Sequence, residues 1–109
     1  MMTLIKILKS GQLPNAKTAA YTVPAGRAAV IKAIVCVNID VANRDVKIYV
    51  KQAGGASVSI WEYPQTITTL KRVVDLTPIT LAAGDAIEWE ASAATAVDGN
   101  IFGVETAAQ

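Results

Sequence analysis

Two stretches of this chain share a corner, and that corner limits the folds open to it. Residues 21–39 read Y-T-V-P-A-G-R-A-A-V-I-K-A-I-V-C-V-N-I, and residues 79–91 read I-T-L-A-A-G-D-A-I-E-W-E-A. In each, an apolar residue, two small or rigid residues, a glycine and a charge precede an alternating strand. Pro24 presets φ for a turn, and Gly26 supplies the positive φ that closes it. Beyond the first corner, Ala29, Ile31, Ala33, Val35, Val37 and Ile39 share one parity, while Lys32 and Asn38 fall on the other. Side chains alternate across a strand, so the odd set is expected to face the core. Beyond the second corner, Ile87, Trp89 and Ala91 alternate with Glu88 and Glu90.

The same period recurs along the chain. Leu4 to Lys9 reads as a first strand with apolar residues on both faces: Ile5 and Ile7 on one, Leu4 and Leu8 on the other. Such a strand is expected to pack on something from both sides. In Arg44 to Gln52, Val46, Ile48 and Val50 point in, and Lys47, Tyr49 and Lys51 point out. Ala53-Gly54-Gly55-Ala56 is a hairpin tip. Val58 and Ile60 follow on an inward face, with Trp61 opposite, and Pro64 ends the strand because it cannot donate to a ladder. Residues 65–78 read as two short strands or one irregular crossover. Ile101 to Thr106 is the last strand.

About eight short strands separated by turn signals predict an all-β fold, an antiparallel β-sandwich of jelly-roll type. Residues 1–17 are expected to form an N-terminal strand or arm and a loop. Residues 18–109 then form a single β-sandwich domain, with Ile31, Val35, Val37, Ile48, Val50, Ile60, Ile87 and Trp89 inward.

Chemistry is sparse in this sequence. It has no histidine, which removes Ser-His-Asp and Cys-His nucleophilic machinery and imidazole metal sites. Its one cysteine, Cys36, cannot form an intrachain disulfide and lies in a strand as a small hydrophobe. Glu88 and Glu90 share a strand face about 7 Å apart by strand rise. A solvated face explains them better than a glycosidase pair or a calcium site. Lys47, Tyr49 and Lys51 are the one candidate nucleic-acid surface, and again a solubilising sheet face is the simpler account. The expectation is therefore a protein that is not an enzyme, with no cofactor, no metal, no nucleic-acid partner and no membrane segment.

Charge and hydropathy point instead to contacts. Hydrophobic residues make up 52% of the chain and charged residues 17%. So apolar a domain has either an unusually large core or a surface covered by a partner. Residues 1–54 hold eight Lys/Arg and two Asp/Glu, and residues 55–109 hold two Lys/Arg and seven Asp/Glu. In a sandwich this asymmetry serves cross-strand pairing or pairing between like subunits.

The segments Y-T-V-P-A-G-R-A-A-V-I-K-A-I-V-C-V-N-I and L-T-P-I-T-L-A-A-G-D-A-I-E-W-E-A-S-A resemble corner motifs of small structural proteins of tailed bacteriophages. The type they are most similar to is the head decoration, or cement, protein of β-sandwich fold. The resemblance spans residues 18–106. It implies a homo-oligomer, a trimer, bound to the major capsid protein on the capsid exterior of the virion after synthesis in the host cytoplasm. It carries over no catalytic residue. Interface candidates are Leu4, Ile5, Ile7 and Leu8 of the two-faced first strand, with Trp61 and Tyr63. The same aromatic pair could serve the alternative reading, a carbohydrate-binding jelly roll of a phage tail or fibre.

Overall fold

The computed structural model describes residues 5–60 and 65–107. Among them are ten strands: β1 (Lys6–Gln12), β2 (Thr18–Thr22), β3 (Arg27–Asn38), β4 (Arg44–Lys51), β5 (Ser57–Ser59), β6 (Gln65–Ile67), β7 (Arg72–Asp75), β8 (Ile79–Leu81), β9 (Ala86–Ala91) and β10 (Val97–Ala107). They form two antiparallel sheets. One has the order β1-β10-β3-β7, with β8 also on β3; the other has the order β2-β9-β4-β5, with β6 also on β4.

β7 and β8 lie end to end along one edge of β3, opposite Ile34–Val37 and Ala29–Ile31. β5 and β6 share an edge of β4 in the same way. Taking each such pair as one row leaves eight rows, ordered 1-8-3-6 and 2-7-4-5. That is the order of a jelly roll, two Greek keys wrapped into a sandwich. The all-β sandwich reading therefore holds, and the expected eight or so short strands are ten among the described residues, because two edge rows are each split in two. Residues 65–78 resolve into β6 and β7 as separate short strands, and Pro78 precedes β8.

The two sheets share one core. Ile31, Ile34, Cys36 and Ile101 enter it from the first sheet, and Val46, Ile48, Ile87 and Trp89 from the second. Trp89 reaches the facing sheet at Gly99. A Cβ there would stand 2.7 Å from Trp89 Cζ3 and 2.6 Å from Leu13 Cδ1. Glycine at 99 is what lets the indole close against β10.

The expected inward set needs a correction in β3. The β3–β10 register steps from Ala33 opposite Phe102 to Ile31 opposite Gly103, which leaves Lys32 without a counterpart. This is a β-bulge, and one extra residue flips the parity beyond it. Ala29 and Ile31 are buried before it, and Ile34, Cys36 and Asn38 after it. Val35 and Val37 consequently stand on the outer face, and Ile39 is 45% exposed. Gly103 sits at the same step, where a Cβ would meet the Val30 carbonyl at 2.4 Å. Ile48, Ile87 and Trp89 are buried as expected, and Val50 and Ile60 pack partly buried against the core. Val58, also expected inward, is exposed on the short edge strand β5.

The two corner motifs are bonded to each other. Arg27 N donates to Pro24 O at 3.1 Å and Asp85 N to Ala82 O at 3.0 Å, with Gly26 and Gly84 at φ of 77° and 87°. Val23 N then donates to Asp85 O at 2.9 Å, and Gly84 N to Val23 O at 3.0 Å. The Asp85 carboxylate ties in the β4–β5 hairpin. It accepts from Ala53 N and from Ala82 N, each at 2.9 Å. Those amide bonds, Ala53's first, hold its carboxyl below the usual carboxylate range.

A depressed folded-state pKa has a definite sign. The carboxylate stabilises the fold above the unfolded Asp value of about 3.9, and that contribution is lost as pH falls through the folded value. Asp85→Asn keeps the shape but gives up the charge and one acceptor. The variant should be less stable than the parent at pH 7, by urea midpoint, and the gap should narrow in acid, as pH falls below the unfolded Asp value and through the lower folded one and the parent loses its charge too. An equal gap at pH 7 and in acid would show that the charge contributes nothing.

Candidate functional site

The two outer faces of the sandwich differ in kind. On the β2-β9-β4-β5 sheet the outward residues are polar and bonded to one another. Lys47 Nζ lies 3.5 Å from Glu90 Oε1, and Tyr49 Oη donates to the same oxygen at 2.9 Å. Ser57 Oγ donates to Glu88 Oε1, and Thr66 Oγ1 to Asp45 Oδ1 at 2.7 Å. Lys17 Nζ stands 5.2 Å from the centre of the Tyr49 ring, within cation–π range. The face considered for nucleic acid is thus compensated by acids from β9, and Glu88 and Glu90 are engaged with their neighbours. Among the described residues no cluster of His, Cys, Asp or Glu could hold a metal ion.

The outer face of the β1-β10-β3-β7 sheet is apolar where Ile7, Phe102, Ala33, Val30 and Val104 lie. It is polar beyond, where Ser10 Oγ donates to Asn100 Oδ1 at 2.7 Å and Gln12 stands beside Asp98, and the register sets its rows. Paired residues of an antiparallel sheet share a face. Val30 therefore stands beside Val104, Ala33 beside Phe102, and Phe102 beside Ile7. Val35 lies between Asn100 and Val74. The last row is charged: Arg72, Val37 and Asp98. Ile7 is 59% exposed, Val74 is 45% exposed, and Phe102, Val104, Val30 and Val35 are each half-buried by their neighbours on the sheet. Contiguous apolar side chains such as these on a sheet face make it a candidate interaction surface.

The first strand contributes to that face and also to the core. Ile5 and Ile7 are exposed, while Leu8 is half-buried against the core and lies close to Gly103. The β1–β10 register shifts between Ile7 and Lys9, so β1 carries a bulge at Leu8. A bulge between two lysines blunts a free sheet edge against strand addition. The usable surface of β1 is therefore its face, where Ile7 adjoins Phe102. Leu4, Trp61 and Tyr63 lie outside the described residues.

Two polar knots fix the ends of the sandwich. Tyr21 Oη on β2 donates to Glu105 on β10, and Lys6 Nζ stands 3.4 Å from the same carboxylate. Burial and this bond raise the Tyr21 phenol above its ordinary pKa, and the phenol in turn holds Glu105 low. At the other end, buried Asn38 donates Nδ2 to Ala42 O and Ile67 O and accepts from Asp40 N, all at 2.9 Å. Around it, Thr69 Oγ1 donates to Asp40 O, and Arg44 Nε donates to Asp40 Oδ2 at 2.7 Å. The loops held by this knot present Val41, 93% exposed, and Leu70, 76% exposed with φ of 60°. Cys36 takes no part in any surface: it is buried, and burial pushes its thiol pKa up to about 12.

No protein-family model and no curated protein matches this chain. Among the described residues no helix is long and apolar enough to cross a membrane.

Sequence reasoning named Ile5 and Ile7 for the surface and missed Phe102, Val104, Val30 and Val74. The signal was present in β3, where both parities are apolar from Ala28 to Val37 apart from Lys32.

Proposed function

We propose that this protein is a structural virion subunit that decorates and stabilises a tailed-bacteriophage capsid as a homo-oligomer bound to the major capsid protein. The observation that carries the reading is the one-sided sandwich. One outer face is polar and internally compensated, and the other carries an apolar patch around Ile7, Phe102, Val30 and Val104 suited to be covered. The resemblance of the two corner motifs supplies the phage head and implies a trimer. A cement subunit holds its neighbours through area, by many modest contacts over a wide surface. A jelly roll suits that task because the shared core backs the sheet that presents the face. Attachment through such a face depends little on ion pairs, so salt, which screens exposed charges, leaves it in place.

The test is location. Antibodies to the purified protein should label intact phage heads in lysates of the strain that encodes it. The label should survive a wash at about 1 M salt, where the Debye length is ~3 Å. Label on tails, or protein found only free of particles, overturns the reading. Release by salt alone would make the basic residues Arg27, Lys32, Arg44, Lys47 and Lys51 the docking surface instead.

A further inference from the structure

We infer that the outer face of the β1-β10-β3-β7 sheet is covered by a second copy of this chain, across a two-fold axis that runs along β3. The face is graded along β3. It is charged at one end, in the row Arg72–Val37–Asp98, and apolar at the other, where Val30 adjoins Val104. Arg72 and Asp98 flank Val37 on opposite sides, one strand away each, about 5 Å by strand spacing. Neither has an ion-pair partner among the described residues.

A two-fold axis along β3 exchanges the flanks of that strand and keeps each row at its own height. Arg72 then faces Asp98 of the second copy, and Asp98 faces Arg72 of the second copy. This reciprocity is what an isologous contact requires. Val35 and Val37 meet their own counterparts on the axis. On the flank, Leu76, 68% exposed in the β7–β8 link, falls at the level of Phe102 of the second copy. Lys32 lies near the axis on the bulge, and its flexible stem carries the ammonium to the rim. Tilting β3 about 15° from the axis gives the roughly 30° between strand directions at which two sheets pack.

The alternative axis, across the strands, is disfavoured by the same grading. It would turn the charged row of one copy onto the Val30–Val104 end of the other and bury unpaired charges against apolar surface. An unrelated partner has no need of an acid and a base mirrored about the central strand. A second copy does. The pairing takes the face from which the capsid reading is argued, so the shell would meet another surface of the dimer, and it gives an even-numbered assembly in place of the trimer implied by the resemblance.

Sedimentation equilibrium of the full chain tests it without any particle. The parent should be dimeric at micromolar concentration. Phe102→Lys should be monomeric with an unchanged circular dichroism spectrum, because the position is on the outer face. Arg72→Asp and Asp98→Lys should each weaken the dimer about tenfold, since each reversal places two like-charge pairs in one interface. The double variant should regain the parental dissociation constant. A parent that stays monomeric at ~100 µM overturns the proposal, on the scale of weak contacts. A dimer indifferent to Phe102→Lys, or single reversals that the double variant fails to rescue, would also overturn it. A trimer would overturn the two-fold arrangement and leave the capsid reading standing.

Discussion

Trp89→Ala should lower the unfolding free energy by about 3–5 kcal/mol, the range for removing a large buried aromatic side chain. Trp89 is 2% exposed and is the largest of the fully buried side chains. It is the residue of β9 that spans the core to reach Gly99 on β10, so its loss opens a cavity between the two sheets rather than within one. Collapse would require the two sheets to approach, and how far they can do so sets where in the range the cost falls. Urea denaturation checks this. A loss below about 1 kcal/mol would mean that the sheets can repack and that the indole does not space them.

Asn38→Leu should cost about 2–4 kcal/mol, although leucine nearly preserves the volume. The reason lies in three backbone groups. The Ile67 carbonyl is buried and loses its donor outright, while the Ala42 carbonyl and the Asp40 amide are partly buried and regain water in part. A buried group left unsatisfied costs about 1–3 kcal/mol by itself. The effect should also be local. Amide hydrogen exchange in residues 39–43 and 68–71 should speed up well before the rest of the sandwich opens, because the knot joins those loops to each other and to β3. Exchange rates unchanged in both loops, with a loss below about 0.5 kcal/mol, would show that water replaces the side chain without penalty.

The phage-capsid reading and the two-fold pairing call on the same outer face, through different properties of it. The first needs a rigid, wide, weakly charged surface. The second needs the order of residues along β3 and its two neighbours. This is why a particle experiment tests the one and a solution mass the other.

The sequence by itself determined much of the local structure. Pro24 with Gly26 and the Ala82-Ala83-Gly84-Asp85 run signal two turns, because proline presets φ and glycine accepts the positive φ such a turn needs without a Cβ penalty. The alternation in Arg44–Lys51 and Ala86–Ala91 is clean because polar residues mark one face, so Ile48, Ile87 and Trp89 fall inward as their spacing dictates. The all-β class follows from those signals. Tertiary structure alone decided the rest. In β3 both parities are apolar, so periodicity carried no information about which face is inside, and the bulge at Lys32 set it. That bulge is an agreement between β3 and β10, two strands more than fifty residues apart at Ala33 and Phe102, and no local propensity encodes it. For the same reason the candidate surface was legible only in part. Ile5 and Ile7 announce themselves as apolar residues on an early strand, but Phe102, Val104, Val30 and Val74 become a surface only when register places them side by side. Asn38 likewise reads in sequence as a polar residue beside a turn. Its role as a buried knot depends on a carbonyl at Ile67 that the chain brings back beside β3.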